Sequence, residues 1–415
     1  MKRIQDLVLG AGAVGVNCAL ALAESGRDVA IVDRSFPCAE CSYGNAGWIT
    51  PCHSLPIPGP GLVTQTLKWM LQSDAPLYIK PSLRPSVLRW LWRFYRHCNA
   101  DAQHRGLTAM ATLNQHVVPL TRELINRYQI ECTFSQRGIL YAFGTEKGLE
   151  KGTRERDLLD AHGIEGTLLT REEVLTKEPA LREHLVGGVY YPQEADCIPD
   201  RFVTQLADQL PSLGVDCHYQ TSVNQLHVSG QSISKVETSA GVFQPENVVI
   251  AIGAWSVQLA RKLGVQLSIQ PGRGYSITLK QQPGLPRIPV NLSEAKVAVT
   301  PWANKVRIAG TMELAGFDSP VNPKRMEAVL RGARDYLPDF RADPPMENWA
   351  GMRPVTSDGL PLIGRSRTLP NLLIATGHGM LGITQSAVTG HLICDLINKR
   401  DPLVSVAPFD PERQT

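Results

Sequence analysis

The sequence lacks any uninterrupted apolar stretch of ~18 residues after its start, which argues against a membrane-spanning helix. It has no internal repeat and no low-complexity tract; its 35 glycines and 30 prolines among 415 residues stay below the range of disordered or fibrous chains. Charge of one sign is not in excess either. Lys plus Arg number 42 and Asp plus Glu 39, a formal net charge of +3. A dedicated nucleic-acid binder usually has a pI above ~9 and a basic stripe, so no nucleic-acid partner is expected. Cys38-x-x-Cys41 has no second such pair, which excludes a zinc ribbon, and no other metal site is expected. The nine cysteines are odd in number and scattered, so they read as reduced thiols rather than a disulfide framework. What remains is an ordinary globular composition, 43% hydrophobic and 20% charged. At ~150 residues per domain the length corresponds to two or three domains.

Met1-Lys2-Arg3 followed by the apolar run Leu7–Ala23 imitates a secretory signal. Asp6, Asn17 and three glycines interrupt it and point elsewhere. Ile4–Leu9 reads as a buried strand, Gly10-Ala11-Gly12-Ala13-Val14-Gly15 as a turn, Val14–Ser25 as a helix closed by Gly26, and Asp28–Val32 as a second strand ending at Asp33. Strand, glycine turn, helix, strand and acid make up the dinucleotide-binding fingerprint in its required context. Gly10 permits the tight turn, Gly12 lets a pyrophosphate approach the backbone, and Gly15 lets the helix pack on the sheet. The helix N-terminus offers unpaired N–H groups to phosphates. Asp33 can accept both ribose hydroxyls, so FAD or NAD is expected and NADP is disfavoured.

Ser42–Gly47 is a loop of small residues, followed by prolines at 51, 56, 58 and 60 in an extended stretch. Leu62–Leu71 reads as helical. Segment 84–97 combines Trp90, Trp92, Phe94 and Tyr95 with Arg84, Arg89, Arg93 and Arg96. It reads either as a core-packing helix with a cationic face or as a membrane-surface helix. Residues 105–127 fit one long amphipathic helix, Cys132–Phe143 a hairpin turning at Arg137-Gly138, and Thr170-x-x-Glu173 a capping box. Strands are expected at Gly187–Tyr191 and within Cys217–Val228, with a helix Pro199–Leu210 between. Val248–Ile252 is a buried strand leading into Gly253-Ala254-Trp255-Ser256. Gln266–Gly310 reads as short antiparallel strands with turns at Pro271-Gly272 and Pro283-Gly284. Lys324–Tyr336 reads as a helix. A second strand–glycine–helix unit closes the chain: Leu372–Ala375, the Gly377–Gly382 loop, and a helix Ile383–Asn398.

These blocks, together with Pro271-Gly272-Arg273-Gly274-Tyr275-Ser276 and Gly351-Met352-Arg353-Pro354, resemble the FAD-dependent amino-acid oxidoreductases of the D-amino-acid oxidase fold family. The likeness is greatest to bacterial D-amino-acid dehydrogenases, and it covers nearly the whole chain. It implies FAD, non-covalently held, rather than NAD. It implies flavin contacts from Gly10, Gly12, Ala13, Val14, Gly15, Asp33 and Arg34, and from the loop Ser42, Gly44, Asn45, Ala46 and Gly47. Val223 would meet the adenine through its backbone. Gly253, Trp255 and Gly351, with Gly379, Met380, Gly382, Ile383 and Thr384, would complete the cofactor site. Arg353 matches the family arginine for the substrate carboxylate, whose planar fork suits a carboxylate; a structural salt bridge is its other reading. Tyr275 could add a hydroxyl or simply pack. His53 could shape substrate entry or lie at the surface, and His378 could touch flavin or substrate.

The fold class implied is α/β (α+β overall): a discontinuous Rossmann-like FAD-binding domain, residues 1–85, 190–265 and 345–415, with an inserted substrate domain, residues 86–189 and 266–344, built on an antiparallel mixed sheet. The reaction implied is oxidative deamination of a D-amino acid, open to a cyclic imino acid such as D-proline, by hydride transfer. The acceptor of its electrons would be a quinone or carrier. The alternatives are a glycine- or sarcosine-type oxidase producing peroxide and a partner-dependent flavoprotein subunit. The expected location is cytoplasmic, with peripheral contact to the inner membrane face through 84–97.

Overall fold

The computed structural model describes residues 1–62, 77–317, 319–341 and 344–414. The helix expected at Leu62–Leu71 falls almost wholly on residues outside that description.

Two large sheets organise the chain. In the first, β1 (Lys2–Leu9) pairs in parallel with β2 (Val29–Val32) on one side and with the strand Gly241–Ile250 on the other. Asp216–His218 extends the sheet beyond β2, and Leu372–Thr376 adds in parallel to the other flank. The central parts of these strands, Leu7–Leu9, Val29–Val32, Val248–Ile250 and Leu372–Ala375, are apolar, because a parallel sheet is covered on both faces. Leu7, Val8, Leu9 and Val248–Ile250 are fully buried. Helix α1 (Ala13–Glu24) covers one face and packs on the C-terminal helix Ser386–Asn398. Gly390 allows this approach, since a Cβ there would stand 2.5 Å from the Asn17 carbonyl oxygen.

The second, nine-stranded sheet centres on Ile269–Lys280, which pairs antiparallel with Lys305–Leu314 and with Glu347–Thr356. It continues through Val297–Pro301 and Val290–Leu292 to Ile139–Phe143, Gly187–Tyr191 and Thr167–Thr170. Three segments that the expected division gave to the FAD-binding domain pair in this second sheet, the first being Glu347–Thr356. Leu77–Ile79 pairs with Lys305–Leu314, and residues 190–191 belong to the Gly187–Tyr191 strand, so both lie in the second sheet.

Other local expectations change for identifiable reasons. The long helix over 105–127 is two, Ala100–Asn114 and Val117–Tyr128. Pro119 has no N–H and would break a continuous helix, but it is tolerated in the first turn of a new one. The Cys132–Phe143 hairpin does not form. Only Ile139–Phe143 is a strand, while Ser135 bridges to Asp196 and Arg137 binds the Asp196 carboxylate through two nitrogens, each at 3.0 Å. Pro271-Gly272 is no turn but mid-strand, with Pro271 opposite Pro354 so that neither lacks a ladder partner it could have donated to. The last helix begins at Ser386 rather than Ile383. The capping box forms: Thr170 accepts from the Glu173 N–H at 3.3 Å, and Glu173 accepts from the Thr170 N–H at 2.8 Å. No helix among the described residues is long and apolar enough to cross a membrane.

Candidate active site

A cavity of about 850 Å³ runs from the end of β1 to the face of the second sheet. Its first wall is the fingerprint. Gly10 has φ +109°, and a Cβ there would stand 2.6 Å from the Ala251 carbonyl oxygen, so the turn admits only glycine. Gly12, Ala13 and Val14 line the cavity, and Gly12 at the N-cap of α1 has no side chain to bond the first turn. The helix therefore presents its positive end to the space. Gly15 is not on the wall; a Cβ on it would lie 1.8 Å from the Gly10 carbonyl oxygen, so it serves the helix–strand contact. Asp33 lines the cavity and accepts N–H bonds from Ala11 and Ser35, both at 2.7 Å. Burial raises its pKa, and those two N–H groups oppose the shift.

The Ser42–Gly47 loop is held from both sides. The Ser42 hydroxyl accepts from the Ala13 N–H at 3.0 Å. The buried Arg307 guanidinium donates to the carbonyls of Tyr43 at 2.6 Å and Asn45 at 3.0 Å. Thr300 donates to the Ala46 carbonyl at 2.8 Å, and the Asn45 amide donates to the Met380 carbonyl at 3.0 Å. Ser42, Gly44, Asn45 and Ala46 line the cavity. Gly47 does not: it faces the Cys197 carbonyl oxygen, 2.1 Å from where its Cβ would be.

Val223, Gly253 and Trp255 line the adenosine-side end with Arg34, whose guanidinium lies 4.4 Å over the Trp255 ring. Gly379, Met380, Gly382, Ile383 and Thr384 line the opposite wall, and Thr384 donates to the Trp48 carbonyl at 2.7 Å. A Cβ on Gly253, Gly379 or Gly382 would meet nothing within 4 Å, so these positions leave an open cradle. Gly351 lies off the wall, where a Cβ would be 2.1 Å from the Trp349 ring.

Arg353 reaches the cavity from the second sheet. A Cβ on Gly274 would stand 2.4 Å from its guanidinium carbon, so the glycine opposite makes its room. The guanidinium makes one bond, to the Thr311 carbonyl at 3.4 Å, and no acidic side chain among the described residues pairs with it. Burial lowers its pKa. Tyr275, in contrast, is fully buried away from the cavity. Its hydroxyl donates to Glu313 at 2.7 Å and accepts from the Asn322 N–H at 3.2 Å. The bulge beside it places its extra residue, Thr311, on the opposite strand, so Tyr275 keeps the regular alternation of its own strand and points away from the cavity rather than into it, which corrects its expected role at the substrate.

His53 and His378 both line the cavity. His53 stacks on Trp48 with ring centroids 5.7 Å apart and bonds the Thr50 hydroxyl through Nδ1 at 3.1 Å. Burial, aided by Lys296, lowers its pKa to about 4. His378 bonds the Thr389 hydroxyl through Nε2 at 3.0 Å, and burial lowers its pKa to about 3. Both are neutral at physiological pH.

Arg307, Thr311, Trp349, Tyr141 and Lys296 also belong to the site or its support, and no local motif marks them. All nine cysteines are free, and no group of His, Cys, Asp or Glu among the described residues could hold a metal.

The helix N-terminus opening at Gly12, Asp33, the open glycine cradle and the buried Trp48 indole N–H that lacks an acceptor fit a flavin dinucleotide. A parallel sheet carrying that site, joined to a second sheet that contributes a cavity-lining arginine, defines an FAD-type dinucleotide-binding oxidoreductase. The chain belongs to the FAD-dependent oxidoreductase family, whose model matches residues 7–396. It is 34% identical to a D-amino acid dehydrogenase of Bradyrhizobium diazoefficiens and 35% identical to one of Vibrio cholerae, in each case with 98% of both chains covered. Among solved structures it is similar to glycine oxidase from Geobacillus kaustophilus, with a TM-score of 0.79, 24% identity and complete coverage of both chains. L-proline dehydrogenase from P. horikoshii gives a TM-score of 0.80 at 19% identity, over 99% of this chain and 98% of that one. The mixed α/β fold is thus that of this family.

Proposed function

We propose that the protein is a D-amino-acid dehydrogenase that oxidises its substrate to the imino acid and passes the electrons to a quinone or carrier rather than to oxygen. Water then hydrolyses the imine to a 2-oxo acid and ammonium. The observation that carries this reading is Arg353, a half-buried residue whose guanidinium faces the cavity with, among the described residues, a single weak backbone partner. The identity of the full-length relatives favours the D-amino acid as substrate. FAD, non-covalently bound, supplies the two-electron acceptor for the hydride leaving the substrate Cα.

The chain's own residues do the rest. Arg353 grips the substrate carboxylate with two parallel charge-assisted bonds, and the Thr311 carbonyl orients its fork. The Ser42–Ala46 loop, tied down by Arg307, gives a rigid wall of small residues. Neutral His53 and His378 place no cation beside the substrate amine, which must be unprotonated to release hydride. Position and electrostatics therefore carry the reaction, without a dedicated acid–base dyad.

Anaerobic addition of D- and L-amino acids to the purified holoenzyme tests the reading. Bleaching of the flavin band by D-amino acids but not their L-enantiomers is expected. Bleaching by no D-amino acid overturns it, and stoichiometric peroxide production in air favours the glycine-type oxidase instead.

The helix Pro85–His97 supports the finer reading of a cytoplasmic protein that touches the inner membrane face. Trp90 and Phe94 are buried, whereas Leu88, Trp92 and Tyr95 are exposed beside Arg89, Arg93 and Arg96. Such a basic–aromatic face suits an anionic bilayer surface. Co-sedimentation with anionic liposomes at low salt is expected, and its absence refutes the contact.

A further inference from the structure

Resting on the reading of Arg353 as the carboxylate-binding group, we propose that Lys296 forms a second anion subsite in the same cavity, which selects amino acids bearing a carboxylate side chain. Lys296 lies in the turn between Val290–Leu292 and Val297–Pro301 and lines the cavity with Arg353. Its φ is +55°, a left-handed conformation that glycine or asparagine ordinarily fills. The chain thus bears a conformational cost at the position that carries this ammonium.

Both cations reach the cavity from the second sheet, Lys296 just before Val297–Pro301 and Arg353 from Glu347–Thr356. Val297 pairs with Gly310, and the next residue, Thr311, holds the Arg353 guanidinium through its carbonyl. The Lys296 carbonyl oxygen stands 3.1 Å from where a Cβ on Gly310 would be.

No carboxylate among the described residues pairs with the Lys296 ammonium. Glu294, two residues away, is engaged by the N–H groups of Gly144 at 3.1 Å and Thr145 at 3.2 Å, and by the Tyr336 hydroxyl. Glu155, which also lines the cavity, pairs with Lys151 at 3.5 Å. His53, on the facing wall, is neutral. The Lys296 side chain is exposed to the cavity; desolvation by the surrounding walls and then repulsion from Lys151 hold it below its ordinary pKa, with Glu155 and Glu294 opposing the shift. An incoming anion would relieve that environment. A dicarboxylic amino acid brings two carboxylates, one for each cation, whereas alanine leaves Lys296 without a partner.

Steady-state oxidation of D-alanine, D-aspartate and D-glutamate by the holoenzyme, with an artificial acceptor, decides the matter. One acidic substrate is expected to exceed D-alanine in kcat/KM by about tenfold or more, the scale of one partly desolvated charge pair. K296M is expected to lower the acidic-to-alanine ratio by at least about tenfold, mainly through KM, and K296R to restore most of it. A wild-type preference for D-alanine, or a ratio unmoved by K296M, overturns the subsite while the dehydrogenase reading stands. Failure of every D-amino acid to bleach the flavin overturns both.

Discussion

Replacing Arg353 with methionine removes the guanidinium and keeps a side chain of comparable length. Among the described residues the fork holds only the Thr311 carbonyl, at 3.4 Å, so folding loses little. The substrate loses both parallel bonds to its carboxylate. Hydrogen bonds involving a charged group contribute about 1.5–3 kcal/mol each, and correlated pairs sum to less than twice that. A loss of about 3–4 kcal/mol in transition-state binding corresponds to a fall in kcat/KM of about 10²–10³-fold. R353K retains the charge but not the planar fork and should fall between the two. The assay is stopped-flow flavin reduction by a D-amino acid under anaerobic conditions, with flavin content measured for each variant. The apparent dissociation constant should rise much more than the limiting rate falls. Wild-type kcat/KM within threefold in fully flavinated R353M would refute the role of this arginine. G274A provides an independent check, because its Cβ would stand 2.4 Å from the same guanidinium carbon and displace it.

G15A should lose bound flavin and unfold at a lower temperature, since the added Cβ falls 1.8 Å from the Gly10 carbonyl oxygen; the ratio of flavin to protein absorbance and a thermal melt check this. His378 gives stability a pH dependence of defined sign. The unfolded chain binds a proton there below about 6.5 and the folded chain only near 3. The unfolded state then holds more protons, so stability falls as pH drops through that window, by about 2 kcal/mol at pH 5. Denaturant titrations from pH 7 to 5 should show the slope, and H378N should flatten it. W92A with Y95A should weaken liposome binding several-fold without altering flavin content; unchanged binding would refute a contact through this face.

The first cofactor wall was legible because it is contiguous. Strand, Gly10–Gly15 turn, helix and Asp33 are adjacent in the chain, and each demands a residue type that its neighbours confirm. The Thr170–Glu173 capping box was legible for the same reason. Elements decided by distant partners were not. Pro271-Gly272 reads locally as a turn and becomes strand because Pro354 lies opposite. Tyr275 lies on the face of its strand that meets Glu313 instead of the cavity, and which face of that strand lines the cavity is set only by how the sheet packs. Lys296 and Thr311 carry no local signature, and only strand pairing places them near Arg353.

The amino-acid sequence by itself determined a dinucleotide-binding fingerprint and a resemblance to one flavoprotein family, and through that resemblance it singled out Arg353 as a candidate, because each rests on short spacings or on matched blocks. Only the tertiary structure decided which charges share the cavity, which glycines make room for a ring or a guanidinium, and which loop Arg307 clamps. Those outcomes depend on register and burial across hundreds of residues, where a shift of one residue reverses the face on which a side chain lies.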